Sequence, residues 1–156
     1  MQYRRIMCLD YGDARIGIAF SDLLRLTATP YEVYKTKGMD QDIEYLSSLA
    51  KKNDVDLMVV GMPYSLDGSE NERTEITKSF GKKLQEVSKI CVEYEDERLS
   101  SYEAEEMLRK KKIAPLERKK YIDMLSAAVI LEAYLKKWKE NKKWKKKKNW
   151  ESWIFY

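Results

Sequence analysis

Apolar positions along the chain follow two rhythms, one of alternation and one of helical recurrence. Residues 3–9 (YRRIMCL) and 16–20 (IGIAF), joined by a short turn at Gly12 to Arg15, read as a β-hairpin. Residues 27–35, with Thr27, Thr29, Val33 and Tyr34, predict a third strand and complete an antiparallel meander. From Asp40 the spacing becomes helical: Ile43, Leu46, Leu49 and Ala50 recur along one face up to Asn53, with Asp40 as the predicted N-cap. The run DLMVVG at 56–61 is almost wholly apolar, as a strand covered by helices on both faces should be. A polar loop at 63–73 follows, then a helix over 74–87 and another strand, KICVEYE, at 89–95. After DER at 96–98, Ser100 and Glu103 have the spacing of a capping box, which opens a helix to Lys112. Pro115 interrupts, and a last helix runs from Leu116 to beyond Trp138. The pattern predicts an α/β domain: a five-stranded mixed sheet, antiparallel meander first and then two βα-linked parallel strands, flanked by helices.

The 156 residues fit one such domain, spanning 1–138, with a Lys- and Trp-rich tail at 139–156. Charge divides the same way. Residues 1–135 hold 21 Lys and Arg against 24 Asp and Glu, whereas 136–156 hold nine Lys against two Glu. Histidine is absent, which excludes Ser-His-Asp and Cys-His nucleophiles and histidine-ligated metals. Hydrolytic chemistry in this chain must therefore run on carboxylates. Cys8 and Cys91 lie in apolar runs without CxxC spacing and read as buried, reduced thiols, the pattern of a cytoplasmic protein. Asp10 arrives before any secretory-type stretch can form, and no apolar run approaches the roughly 18 residues of a membrane span.

Three acidic positions carry the candidate chemistry. Asp10 stands where an apolar strand meets a Gly-containing turn, the place where open α/β sheets put their sites; capping of that turn is the plainer reading. Glu95, Asp96 and Glu97, followed by Arg98, again set carboxylates between a strand and a helix, although a solvated loop would look alike. Asp123 interrupts YIDMLSAAVILEAYL, a helix apolar around its circumference, where an unpaired charge is costly. Either Lys119, one turn earlier, neutralises it, or it faces a metal shared with the other acids. Converging acids without histidine suit the hard cations Mg²⁺ or Mn²⁺, and a two-metal site of that kind hydrolyses phosphodiesters. Repulsion among the acids would raise their pKa values until metal binds.

The segments LDYGDARIGIAFSD (9–22), VVGMPYSLDGSENER (59–73), DERLSSYEAE (96–105) and IDMLSAAVILEAYL (122–135) together resemble the YqgF/RuvX family, over residues 3–135. The resemblance implies an RNase H-like fold related to Holliday-junction resolvases and a nuclease that matures the 5′ end of pre-16S rRNA. It matches Asp10 to the acid of the first strand, Asp96 and Glu97 to the DER acids, and Asp123 to the acid of the last helix, with Asp10, Glu97 and Asp123 as metal ligands. Arg15, Arg73 and Arg98 match basic positions that would meet nucleic acid. Strands two apart in a sheet stand nearly 10 Å apart, so the longer Glu97 is favoured over Asp96 as the direct ligand. DERLSS replaces the family's usual DERLTT and keeps both hydroxyls, while Ser65 stands where Asn is common. The loop from Pro63 to Arg73 either folds over a bound strand or is a surface turn built on Asp67-Gly68.

In the tail, KKWKENKKWKKKKNW interleaves lysines with Trp138, Trp144 and Trp150, so that Lys142, Lys143 and Trp144 combine phosphate contact with base stacking. A solvated helix extension or Trp packing onto the body would give the same composition. The expected partner is nucleic acid, precursor rRNA ahead of branched DNA, bound by a monomer or a homodimer without a membrane. Two other classes stand beside the nuclease. DYG after a strand also resembles the first phosphate loop of actin-like ATPases, which need a second domain and another Gly-rich loop that this chain lacks. A catalytically silent RNA-binding assembly factor would use the Arg residues and the tail alone.

Overall fold

The computed structural model describes residues 3–98 and 100–154, and of these the side chains of all but 100–103, 107, 116, 119, 120, 123 and 143–154. Strands β1 (Arg5–Tyr11), β2 (Arg15–Ser21) and β3 (Ala28–Lys35) come first, then α1 (Met39–Lys52), β4 (Val55–Met62), α2 (Glu72–Ser88) and β5 (Cys91–Asp96). Helices α3 (Ser100–Lys110) and α4 (Pro115–Ile154) close the chain. The sheet runs β3-β2-β1-β4-β5, with β1, β2 and β3 antiparallel and β1, β4 and β5 parallel. This is the predicted meander followed by two crossovers.

Alternation along β1 divides the core in two. Met7 and Leu9 face α1 and α2, packing with Ile43, Leu46, Phe80 and Leu84. Ile6 and Cys8 face the other way, against Ala127, Ile130, Leu131 and Leu135 of α4. Both faces of the central strands are thus buried, which is why β1 and β4 read as continuous apolar runs. Helix α4 can sit close to the sheet because Ala127 and Ala128 present only methyl groups there.

Several local expectations change. Asp40 is not the N-cap of α1: Gly38 holds that position at φ 110°, and Asp40 lies in the first turn, paired with Lys83 of α2. Asp42 instead ties the entry, its Oδ1 accepting from the N–H of Lys37 at 2.8 Å. Helix α2 begins two residues earlier than its apolar spacing implies, because Asn71 and Thr74 form a reciprocal capping box. The cap expected from Ser100 and Glu103 lies outside the described side chains. Pro115 opens α4 as its first residue, where its missing N–H costs nothing. Cys8 is buried as expected, whereas Cys91 is exposed, at the first position of the edge strand β5.

Candidate active site

The parallel strands β1, β4 and β5 end together, and their register decides what stands beside Asp10. Asp10 pairs with Gly17 of β2, while Leu9 pairs with Val60 and so brings Gly61 of β4 to the other side. Gly61 in turn pairs with Glu95 of β5. Paired residues share a face, and Asp10 lies on the α4 face with Cys8, two residues before it. Asp10 is therefore flanked by two positions without side chains, which leaves a trough along the sheet end.

Glu97 fills that trough from the far strand. It follows β5 directly, and its N–H donates to the carbonyl of Met62 at 3.2 Å, fixing the chain as it leaves the sheet. Its side chain then lies across Gly61. A Cβ at Gly61 would collide with Glu97 Oε2 and stand 3.3 Å from Glu97 Cβ and 2.9 Å from Ile130 Cδ1 of α4. The glycine is what lets a carboxylate cross from β5 to β1. Glu97 shares a hydrogen bond with Asp10, and its Oε2 is buried without a hydrogen-bond partner.

Electrostatics follow from this placement. Burial, then the charge of Asp10 and the hydrogen bond with it, push the Glu97 carboxyl up to about 8, with Arg73 opposing. Burial, and behind it the Asp10 and Glu97 charges, also push the Cys8 thiol well up, so it stays protonated beneath the pair. Two acids held this way retain a proton between them, and a hard cation is the natural replacement for that proton. The donor chemistry thus fits a divalent metal: oxygen-only ligands, one of them an orphaned buried atom. Among the described residues, no group of three or more His, Cys, Asp or Glu side chains is placed to hold a metal alone.

The third expected acid belongs to α4, and its side chain lies outside the described ones. Helix α4 packs on the sheet face that carries Asp10, with Ile130 against Gly61. Trp138 packs edge-to-face on Tyr3, ring centroids 5.4 Å apart, just before β1 begins.

The other expected site residues go elsewhere. The carboxylate of Asp96 is engaged by Arg98, from the backbone N–H at 2.9 Å and from Nε at 2.7 Å. Burial pushes the Asp96 carboxyl up, but those bonds outweigh it and hold the group below its ordinary range. Arg98 also donates to the carbonyl of Leu66 at 3.2 Å, so it ties the DER turn to the loop after β4. That loop is internally braced: Ser65 N–H donates to Ser69 O, Gly68 N–H to Ser65 O, and Asn71 Nδ2 to both Pro63 O and Ser65 Oγ. Arg15 borders a cavity of about 190 Å³ together with Asp10, Gly12, Asp13 and Gly17. Arg73, in the first turn of α2, pairs with Asp13 at 2.5 Å and donates to the carbonyl of Tyr11 at 2.9 Å.

Lys142 is at the opposite end of the sheet, its Nζ 3.5 Å from the Tyr3 ring centroid and 4.5 Å from that of Trp138. The side chains of Lys143 and Trp144 lie outside the described ones. Helix α4 runs through this region to Ile154 without a break at 138. The residues not anticipated from sequence are Gly17, Gly61 and Asp13. The two glycines did carry a signal, since glycine inside an apolar strand marks a close approach.

Comparison with known proteins gives the fold and the family. Two solved structures share the fold: T. thermophilus RuvC in complex with a Holliday junction substrate, and the yeast mitochondrial Holliday junction resolvase Ydc2. The first has a TM-score of 0.53 at 13% identity and covers 85% of this chain and 96% of that one. The second has a TM-score of 0.52 at 12% identity and covers 85% and 78%. Their likeness establishes the RNase H-like architecture. At the sequence level, a protein of Syntrophomonas wolfei named "Putative pre-16S rRNA nuclease" is 41% identical over 131 residues, 84% of this chain and 93% of its own. A protein of Halothermothrix orenii with the same name is 44% identical over 131 residues, 84% and 94% of the two chains. The family described as "RuvX: Holliday junction resolvase" matches residues 4–137, and the chain belongs to that family.

Proposed function

We propose that the protein is a metal-dependent nuclease that hydrolyses phosphodiester bonds in the cytoplasm, and that its substrate is the 5′ end of pre-16S rRNA. One observation carries the reading: Asp10 and Glu97 are held together at the strand ends with a buried, unpartnered carboxylate oxygen between sheet and α4. Buried acids so arranged are costly unless a cation or a proton joins them. The names of the two relatives supply the RNA.

Asp10 and Glu97, with Asp123 from α4, would hold Mg²⁺ or Mn²⁺. Bound there, the metal would stabilise charge on the attacking and leaving oxygens of the phosphodiester. The chain's own residues do the rest. Asp96 acts through Arg98, keeping the DER turn and the loop at 63–71 in one piece so that Glu97 stays aimed across Gly61. Arg15 and Arg73 stand on either side of the Gly12–Ala14 turn, where a phosphate backbone entering the trough would meet them. The lysines beyond residue 138 add contacts farther along the strand.

A second reading, cleavage of four-way DNA junctions, is favoured by the description of the matching family. Cleavage of a precursor rRNA fragment and of a four-way junction, side by side with Mg²⁺ or Mn²⁺ at fixed salt, tests both. Preference for the RNA is expected. Preference for the junction would replace the first reading by the second, and no cleavage of either by a protein that binds them would leave a silent RNA-binding factor.

A further inference from the structure

The turn between β1 and β2 carries an acid that the metal reading does not use. Asp13 projects into solvent, its side chain 86% exposed, yet its Oδ1 lies 2.5 Å from Arg73 Nη1. Arg73 reaches it from another element, 60 residues away in sequence. The two ends of this contact differ in kind. The Arg73 guanidinium is fixed from below: Nη2 donates to Tyr11 O at 2.9 Å, and its Cζ lies 5.7 Å from the centroid of the Tyr11 ring. That ring is itself stacked on buried Phe80 at 4.0 Å. Thr36 holds the backbone of the Asp13 turn, its Oγ1 donating to Ala14 O at 3.2 Å, but the exposed Asp13 carboxylate has no comparable packing, and an exposed ion pair contributes only about 0–1 kcal/mol.

We propose that Asp13 is a placeholder for a substrate phosphate, holding Arg73 in its binding pose until a phosphodiester oxygen takes the carboxylate's place. The inference rests on the reading of this site as one for nucleic acid. A carboxylate and a phosphodiester present the same pair of charged oxygens to a guanidinium, so the exchange keeps the geometry while changing the partner. Because Tyr11 and Phe80 keep Arg73 where it is and Thr36 holds the backbone of the turn, the exchange needs only the Asp13 side chain to swing away. Asp13 also borders the cavity shared by Asp10 and Arg15, which puts the exchange at the mouth of the trough. Its cost is weaker binding of the free protein for nucleic acid. Its consequence is that Arg73 is spent on ligands able to compete with a carboxylate.

Asp13 is a positioning residue in this scheme, and a double-mutant cycle reads it out. The full chain and its variants Asp13→Asn, Arg73→Gln and the double variant are titrated with a short single-stranded RNA in EDTA, across a range of potassium chloride. Asp13→Asn is expected to tighten binding about two- to fivefold. It should also steepen the salt dependence by about 0.7, the signature of one further phosphate contact. In the Arg73→Gln background the same change should do neither. Equal tightening in both backgrounds would mean that Asp13 merely repels phosphate, and would overturn the placeholder. Weaker binding by Arg73→Gln with no gain from Asp13→Asn would also overturn it while leaving Arg73 a phosphate contact. Unchanged binding by Arg73→Gln would remove both roles. Asp13→Ser, with melting curves for each variant, guards against a local effect of asparagine in the turn.

Discussion

The two ends of the central sheet handle charge in opposite ways. At the end where β1 begins, the buried charge of Arg25 is matched by partners. Arg25, buried at 7% exposure, donates to Arg4 O at 2.9 Å and pairs with Asp56 at 2.5 Å. Its Cζ lies 5.6 Å from the Tyr3 ring centroid and 5.3 Å from that of Trp138, and Lys142 lies against the same two rings. At the end where β1 finishes, two acids share one hydrogen bond and leave an oxygen unpaired. Desolvation penalises both arrangements. One end repays it with internal partners and so clamps α4 to the sheet; the other leaves the debt open to a ligand.

The comparison breaks most sharply at Asp10. Asp10→Asn is expected to lower cleavage by more than about a hundredfold, beyond the usual effect of altering a residue that only supports a metal ligand. Melting of the metal-free variant should not fall, because Glu97 no longer has to take up a proton beside a charged neighbour. A large loss of melting temperature would mean that the pair is a structural one, like Arg25–Asp56.

Gly61→Ala tests whether the crossing over β4 matters. The added methyl meets Glu97 and Ile130 at once, so cleavage should drop about tenfold or more while stability falls by ~1–3 kcal/mol. Normal cleavage would show that Glu97 need not reach Asp10. The reverse experiment is Arg25→Ala, which removes the clamp at the far end. It should cost ~2 kcal/mol, less than a fully buried pair because Asp56 is partly exposed, and leave the activity of the folded fraction intact.

The smallest effect is one of pH. Glu97 holds its proton up to about 8 in the folded chain, above the ordinary 4.5 for glutamate. The folded state therefore binds a proton that the unfolded state has released. Its contribution to stability is complete below about 4.5 and is lost as the pH rises through about 8. Metal-free melting temperature should decline across that window, and Glu97→Gln should flatten the decline. Added Mg²⁺ should restore more stability at the upper end than at the lower. Parallel curves for the two proteins would mean that Glu97 titrates normally.

How much of this was legible in sequence differs between fold and site. All five strands and the order of the helices follow from hydrophobic spacing, because strands buried on one or both faces must declare it in period and run length. The exposed Cys91 escaped that logic, since an edge strand is only partly covered and an apolar run there does not guarantee burial. Asp40 escaped it too: its type suits a cap, but the φ of Gly38 decided where the turn falls.

For the site, the chain determined by itself that chemistry must rest on oxygen ligands, because it has no histidine, and that Asp10 and the DER acids end strands. Between the two adjacent acids, side-chain length favoured Glu97 over Asp96 but could not fix which one turns toward Asp10. Asp96 and Glu97 differ by one residue, and only the pairing of β5 with β4 and β4 with β1 sets the parity and the distance. That pairing, with the gap left by Gly61, selects Glu97 for the meeting with Asp10 and leaves Asp96 to Arg98. It is a long-range contact across three strands, fixed by packing that no local pattern encodes.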